Sequence, residues 1–193
     1  MTANTVSKVL RRLAPCLVGP LVLWLLASCN ADQSISRDSV CRFTFLYQYH
    51  PTSQLFVAAQ NPGSYVFVTT RGDGKSVVRR VFVQGNAEGA VMETNDITTA
   101  VENNLNYLLG ANNDIGLIIG CTNLNGLRAY DRTCPNCEVM RALQWTGNRE
   151  QVVCNDCHRT YVLETGAVIA GAEGKPLQRY NCAFNGTSLN AWN

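Results

Sequence analysis

Four cysteines in the second half of the chain have the spacing of a metal site. They form two Cys-x-x-Cys pairs, Cys134-Pro-Asn-Cys137 and Cys154-Asn-Asp-Cys157, with sixteen residues between them. A Cys-x-x-Cys turn directs two thiolates to one point, and two such turns can complete a tetrahedron of sulfurs around zinc or iron. The spacing therefore predicts one metal centre held by these four residues. Two disulfides in an exported protein are the alternative that the same pattern allows.

The first 28 residues have the pattern of an export signal. Three cations, Lys8, Arg11 and Arg12, precede an almost continuous apolar run over residues 13–27. The run is too short for a confident membrane span and is typical of a secretory signal. It ends in LASC at positions 26–29, which resembles the bacterial lipobox, where the cysteine becomes the diacylated first residue. An ordinary cleaved signal beside a chance cysteine is the alternative.

The lipobox resemblance implies a lipid anchor on Cys29. Each buried CH₂ group of an acyl chain contributes about 0.8 kcal/mol, so three chains hold a protein on a membrane permanently. We therefore expect a signal peptide over residues 1–28 and a polar tether over residues 29–40. A single domain over residues 41–193 should follow in the cell envelope, with the outer membrane as the default location.

Charge and composition exclude a nucleic-acid partner. Without residues 1–28, the chain has thirteen Lys and Arg against fourteen Asp and Glu, a net charge near −1. Binding to phosphate backbones or to anionic lipid surfaces needs an excess of cations, which is missing here. The remaining length of 165 residues is enough for one domain with its own hydrophobic core.

Three cysteines lie outside the paired motifs and the N-terminal segment. The chain has nine cysteines, of which Cys16 lies in the export signal, and Cys41, Cys121 and Cys182 are left over. An odd number allows at most one disulfide among them, and the sequence does not choose the pair. Buried free thiols are an equally acceptable interpretation.

Alternating and β-branched residues predict a mainly β domain built from antiparallel strands. One segment differs: Ile97, Val101, Leu105 and Leu108 recur at helical spacing, which predicts one short helix within residues 94–109. A hairpin turn is expected at residues 71–75, which are rich in glycine, and His50 is expected to be a turn residue. The predicted strands cover residues 42–49, 55–58, 64–70, 77–83, 115–121 and 127–130.

The segment from about residue 115 to the end resembles the Rieske domain. Rieske proteins approach the first ligand loop through a short strand and a Cys-Pro dipeptide, as residues 127–135 (LRAYDRTCP) do here. Beyond the second loop the order of Tyr161, the pair Pro176-Leu177 and Tyr180 also follows that layout, and residues 186–189 (GTSL) match its final Gly-x-x-Leu. This residue pattern is similar to that of Rieske-fold lipoproteins of Bacteroides-type bacteria. The resemblance implies an antiparallel Rieske-like β-sandwich that carries both cysteine hairpins.

The ligand set departs from the family pattern. A Rieske cluster uses two cysteines and two histidines. Here Asn136 stands at the first histidine position with Cys137 one residue later, and Cys157 stands at the second histidine position. His158 follows Cys157 directly and is not expected to be a ligand. Without imidazoles, four thiolates can hold zinc, a single iron or a low-potential [2Fe–2S] cluster. Zinc is favoured because a tetrahedral S₄ site suits one ion and zinc has no redox chemistry to lose outside the cytoplasm.

Two functions follow from these features. The first is a lipid-anchored structural or interaction module whose fold is stabilised by bound zinc. The second is an electron carrier with iron or [2Fe–2S] on the same cysteines. No catalytic motif points to an enzyme. Asp131 and Glu164 flank the cysteine loops and are expected to be solvated or turn-stabilising side chains. The sequence identifies no protein or redox partner.

Overall fold

The computed structural model describes residues 34–71 and 78–193. The predicted export signal, Cys29 and the predicted hairpin turn after Arg71 lie outside the described residues. The strands are β1 (Cys41–Leu46), β2 (Ser64–Arg71), β3 (Arg79–Gly85), β4 (Glu93–Ile97), β5 (Leu108–Leu109), β6 (Leu117–Cys121), β7 (Leu127–Asp131), β8 (Gln144–Trp145), β9 (Gln151–Val153), β10 (Thr160–Val162), β11 (Val168–Ala170), β12 (Arg179–Phe184) and β13 (Ser188–Trp192). The helices are α1 (Gln54–Gln60) and α2 (Ala100–Asn103).

The predicted antiparallel β class is confirmed. A nine-stranded sheet has the order β4-β3-β2-β6-β7-β12-β13-β1-β5, and a four-stranded sheet has the order β11-β10-β9-β8. Every strand pairing is antiparallel. The order also shows why two separate cysteine hairpins can meet. One lies on the connection from β7 of the large sheet into β8 of the small sheet, and the other joins β9 to β10 within the small sheet.

One hydrophobic core lies inside the large sheet, and we call it the inner core. It contains Ile97 from edge strand β4 and Leu109 from the opposite edge strand β5, together with Phe43 and Val81. Since both edges contribute to the same cluster, the large sheet curls around it. Burial of such side chains, at about 25 cal/mol per Å² of apolar surface, is the main stabilisation of this half.

A second core lies between the two sheets, and we call it the cysteine core. Tyr65 and Phe67 of β2 contribute to it, whereas Val66 and Val68 of the same strand face the inner core. Successive side chains of a strand point to opposite faces, so β2 is buried on both sides and separates the two cores. The small sheet contributes Tyr161 and its neighbours. This gives a sandwich-like arrangement of the two sheets.

The prediction of a strand at residues 55–58 is wrong, because this segment forms helix α1. Ser53 caps the helix and its hydroxyl accepts a hydrogen bond from the Leu55 N–H. Leu55, Ala58 and Ala59 are buried and occupy one face at positions i, i+3 and i+4. Packing of this face against the inner core outweighs the β preference of the short apolar run.

The helix predicted within residues 94–109 is shorter than its apolar spacing suggested. Only α2 is helical, with Thr99 as its N-cap, whereas Thr94–Ile97 belongs to strand β4. Leu108–Leu109 belongs to β5. The apolar residues therefore lie in three different elements, and Val101 is 54% exposed on the helix itself. Pairing of β4 with β3 provides hydrogen bonds that a longer helix would forfeit.

His50 is a turn residue with a buried partner. Its ring stacks on Phe45, with 5.1 Å between ring centroids, and its Nε2 lies 2.7 Å from Oε1 of Glu102. Thr99 also donates its hydroxyl proton to Glu102. The pair connects the loop after β1 to helix α2. It explains why a carboxylate is tolerated at 1% exposure, since a buried charge needs partners.

The polar segment before β1 lies against the domain. Ile35 forms a parallel bridge with Arg179, and the Asn193 side-chain amide donates hydrogen bonds to the carbonyls of Ser36 and Ser39. Residues 35–39 are therefore held in place. Within residues 34–71 and 78–193, no helix is long and apolar enough to cross a membrane.

Candidate metal centre

The two cysteine loops meet at one end of the small sheet. Cys134 and Cys137 lie on the connection from β7 to β8, and Cys154 and Cys157 lie on the connection from β9 to β10. The four Sγ atoms are all within 4.8 Å of one another. The structure therefore brings together all four cysteines that the sequence singled out as ligands, in a group that can hold a metal ion.

The shortest sulfur contacts join one loop to the other. Cys134 Sγ lies 3.6 Å from Cys157 Sγ, and Cys137 Sγ lies 3.6 Å from Cys154 Sγ. A tetrahedron with metal–sulfur bonds of about 2.3 Å has sulfurs roughly 3.8 Å apart, whereas a disulfide needs about 2.05 Å. Both contacts therefore agree with the sulfur–sulfur separation of a metal site, about 4 Å. The remaining sulfur–sulfur distances reach at most 4.8 Å, which is somewhat wider.

All seven cysteines of the described residues are free thiols. This group includes Cys41, Cys121 and Cys182, for which a disulfide and free thiols were both open. Burial raises the pKa of Cys41 to about 12, and burial also raises the pKa of Cys182. Both therefore stay protonated at neutral pH and belong to the inner core as small apolar groups.

A buried aspartate begins the first cysteine loop. Asp131 ends strand β7, is fully buried, and accepts a hydrogen bond from the Thr133 N–H at 2.7 Å. Its other oxygen accepts from the Ala111 N–H at 2.7 Å and from the Tyr180 hydroxyl at 2.9 Å. Asp131 is therefore not solvated, and its turn-stabilising role extends to the position of Cys134.

Glu164 has the turn-stabilising role that the sequence suggested. Its carboxylate accepts hydrogen bonds from the backbone N–H groups of Asn123, Leu124 and Asn125. These contacts order the connection between β6 and β7. They lie outside the sulfur group, so this carboxylate is not a ligand candidate.

Backbone geometry shapes the second cysteine loop. The Cys154 N–H donates to the Arg159 carbonyl at 3.0 Å, and the His158 N–H donates to the Cys154 carbonyl at 2.9 Å. His158 has a φ of 56°, the left-handed conformation that closes this tight turn. The sulfur group consists of the four cysteines and does not include the His158 ring.

A third segment, residues 171–176, covers the two cysteine loops. Asn136, between the two cysteines of the first loop, donates to the Lys175 carbonyl and accepts from the Lys175 N–H, both at 2.8 Å. Arg159 donates from its guanidinium to the carbonyls of Ala172 and Glu173. A side chain at Gly174 would meet the Asn136 amide oxygen at 2.5 Å. The segment therefore approaches the site as closely as a glycine permits.

Hydrogen bonds reach the sulfurs from two side chains. The Tyr161 hydroxyl lies 3.4 Å from Cys134 Sγ and accepts a hydrogen bond from the Asn136 amide at 2.9 Å, which leaves its proton for the sulfur. Burial raises the pKa of the Cys157 thiol, but the backbone and side-chain N–H groups of Arg159 favour its thiolate and, with the neighbouring sulfurs, lower the pKa to about 6.

The sulfurs of Cys134 and Cys137 resist ionisation. Burial and the neighbouring sulfurs raise the pKa of Cys137, and burial raises the pKa of Cys134. Like charges within 4.8 Å repel, so a cluster of four thiolates is unfavourable without a cation. A divalent metal removes this penalty and deprotonates coordinating thiols. The electrostatics of the group therefore fit a dication.

Asn136, Arg159 and the covering segment were not predicted as parts of the site. Each is far from its partner along the chain; for example, Asn136 and Lys175 are 39 residues apart. An asparagine between two cysteines has no spacing signal of its own. Tyr161 and Pro176 were noted only through the family resemblance, without a role.

Comparison of the chain with protein-family models, with curated proteins and with solved structures finds no match. The assignment of this site therefore rests on its own geometry, and the Rieske resemblance stays a prediction.

Proposed function

We propose that the protein is a lipid-anchored metal-binding module of the cell envelope, in which Cys134, Cys137, Cys154 and Cys157 hold one zinc ion. The observation that carries the metal proposal is the convergence of four sulfurs within 4.8 Å from two separate loops. Zinc fits the donor set because it prefers four-coordinate thiolate sites. In this position it joins the β7–β8 and β9–β10 connections, so its binding energy stabilises the small sheet.

The Rieske resemblance supports the same site. Strand β7 leads into Cys134-Pro135, and a small four-stranded sheet carries both ligand loops, as expected if residues 115–193 form a Rieske-like unit. The exchange of both histidines for cysteines removes the imidazoles that raise the potential of a Rieske cluster. A structural role follows more directly from this ligand set than a high-potential redox role.

An electron carrier is the second candidate, and one observation favours it. The Tyr161 hydroxyl lies 3.4 Å from the Cys134 sulfur and the N–H groups of Arg159 favour the Cys157 thiolate, and hydrogen bonds to sulfur set the potential of iron–sulfur centres. The same bonds also stabilise zinc thiolates by spreading their charge. Metal identity therefore decides between the two functions.

Metal analysis of the purified chain tests the proposal. We expect one zinc ion per chain and a colourless protein, because zinc has a filled d shell. Visible absorption together with one or two iron ions per chain would replace the structural role by electron transfer. A chain without metal, in which mass spectrometry finds Cys134 already oxidised to Cys137, would contradict the metal site altogether.

The anchor is proposed from the sequence around Cys29. The domain begins its described contacts at Ile35, which is bridged to Arg179. Five residues lie between Cys29 and Ile35, which makes six steps along the chain, and an extended chain spans about 3.3–3.6 Å per step. An acylated Cys29 would therefore hold the domain within about 20 Å of the membrane surface, with the outer membrane as the proposed location.

Replacement of Cys29 by serine is expected to abolish acylation, because serine has no thiol to receive the lipid. The measurement is incorporation of radiolabelled palmitate during expression in a bacterial host. Cys16→Ser is the matched control, since this cysteine lies inside the apolar run, and it should leave the label unchanged. Palmitate in the Cys29→Ser protein would refute the anchor and leave the metal proposal untouched.

A further inference from the structure

A second candidate site lies on the large sheet beside the cysteine core. It is a cavity of about 100 Å³ between strand β2, strand β3 and the residue that follows β7. None of the proposed metal ligands lines it. The lining residues are Phe67, Thr69, Arg71, Phe82, Gln84, Met92, Asp114 and Arg132.

Arg132 is the central polar residue of this cavity. Its Nε donates a hydrogen bond to the Leu143 carbonyl at 2.9 Å, and its guanidinium carbon lies 3.8 Å from the ring centroid of Phe67. Trp145 stacks on the same ring at 3.8 Å between centroids and 3° between planes. The indole and the guanidinium therefore occupy opposite faces of Phe67, and this arrangement fixes the direction of the guanidinium.

Within the described part of the chain, the Arg132 guanidinium has no anionic partner. Among residues 34–71 and 78–193, no carboxylate forms a salt bridge with it. Its one direct side-chain hydrogen bond leaves the two terminal nitrogens, which carry four N–H groups, available to a ligand. Arg132 is half-buried, and a charge that loses part of its hydration is normally compensated by a partner. Burial lowers the pKa of Arg132 to about 10, so the group is still a cation at neutral pH.

The other charges of the cavity balance each other. Arg71 Nε lies 3.8 Å from Oδ1 of Asp114, and both side chains are about two-thirds exposed. They form a weak surface pair at the rim. Among the described lining residues, Arg132 therefore gives a net charge of +1, and that charge lies beside the Phe67 ring.

We propose that this cavity binds a small carboxylate with a short apolar chain. The planar guanidinium matches a carboxylate through two parallel hydrogen bonds, while Phe82 and Met92 provide apolar surface for the chain. An enclosed cavity of about 150 Å³ accepts one benzene ring, so this smaller cavity suits a chain of a few carbons. The proposal concerns a separate site and does not depend on metal identity.

Methionine labelling gives a local readout of binding. The chain has three methionines, Met1, Met92 and Met140. Of the two that lie in the described residues, Met92 lines the cavity and Met140 does not. With ¹³C in the methionine methyl groups of the purified full-length protein, butyrate is the probe at constant ionic strength. We expect saturable movement of the Met92 signal at millimolar butyrate, while the signals of Met1 and Met140 stay in place.

A neutral analogue and two variants separate charge recognition from apolar contact. Butyramide, which has the same shape without the charge, should bind about tenfold more weakly because it loses the charge-assisted hydrogen bonds. Arg132→Gln should abolish saturation, and Arg149→Gln, an exposed arginine in the turn before β9, should bind butyrate as the parent does. The unaltered protein with butyramide keeps the test valid if Arg132→Gln does not fold.

Three results would overturn the proposal. Equal effects of butyrate and butyramide would show that the guanidinium is not the recognition group. Saturation retained in folded Arg132→Gln would place the ligand elsewhere. Displacement of butyrate by equimolar chloride would show an unselective anion site, without the apolar half of the proposed recognition.

Discussion

Replacement of Cys154 by serine is expected to reduce the metal content from one ion per chain to none and to lower the unfolding temperature by about 8–16 °C. Cys154 is fully buried, and its Sγ lies 3.6 Å from the Cys137 Sγ of the other loop. A serine hydroxyl is a poor ligand for zinc, since it does not ionise as readily as a thiol. The variant also leaves three thiols close together with no cation between them.

The size of the shift follows from mass action. A ligand at a free concentration of 1,000 times its dissociation constant stabilises the native state by about 4.1 kcal/mol. For a domain of this length, each kcal/mol corresponds to about 2–4 °C in unfolding temperature. Differential scanning calorimetry of the zinc-loaded protein and of the variant gives the shift directly.

Cys121→Ser is the matched control, because Cys121 is a free thiol outside the sulfur group. It should keep the metal and unfold within a few degrees of the parent. A chelator added to the parent should reproduce the unfolding temperature of Cys154→Ser. If Cys154→Ser and Cys121→Ser unfold at the same temperature and both retain metal, the four cysteines are not the ligands.

The parts of the fold that could be predicted are those in which local pattern and tertiary environment agree. Strand β2 was expected at residues 64–70 and lies at Ser64–Arg71, because its side chains on both faces are buried and a continuous apolar run suits that position. Strands β6 and β7 are also close to their predicted bounds. In each case the neighbouring strands satisfy the backbone that the sequence marks as extended.

The wrong secondary-structure predictions concern short apolar runs whose spacing fits both a helix and a strand. Leu55–Ala58 was predicted as a strand, yet the Ser53 cap and the inner core select a helix. The apolar spacing of residues 97–109 suggested a helix, although Ile97 and Leu109 belong to the two edge strands of the large sheet. Both cases depend on what packs against the segment, which periodicity alone does not contain.

The candidate metal centre also has one part that the sequence predicts and one part that it does not. Four cysteines in two motifs could be predicted as one group because two Cys-x-x-Cys turns have a known ligand geometry. The contacts that surround them could not, since Asn136, Tyr161 and Arg159 act on partners determined by the folded loops. A hydrogen bond to sulfur needs one donor at the right place, and any polar residue type can provide it.

Asp131→Asn is the second change for which we expect a large effect. The carboxylate accepts from two backbone N–H groups, those of Ala111 and Thr133, through different oxygens. Asparagine has one acceptor oxygen, so in either orientation its NH₂ group faces a backbone donor that cannot rotate away. The Tyr180 hydroxyl also donates to this carboxylate, and burial followed by the Asp131 charge raises the pKa of Tyr180, which keeps its proton in place.

The expected loss of unfolding free energy is about 3 kcal/mol, since hydrogen bonds to charged groups contribute about 1.5–3 kcal/mol each and an unpaired buried donor adds its own cost. For this length the loss corresponds to about 6–12 °C in unfolding temperature. Because Thr133 directly precedes Cys134, the variant should also release its metal to a chelator faster than the parent does. A purely structural carboxylate remote from the loop would change stability without changing that rate.

Asp114→Asn is the control for Asp131→Asn, because its carboxylate is 69% exposed and its ion pair with Arg71 is long, at 3.8 Å. An exposed pair of this kind contributes about 0–1 kcal/mol, so this variant should match the parent in unfolding temperature and in metal release. Equal stability of the two variants would show that the buried carboxylate does not hold the cysteine loop. Lower stability with an unchanged release rate would restrict Asp131 to the β7–β12 side of the domain, and the position of Cys134 would then depend on the β-bridge between Thr133 and Ala142.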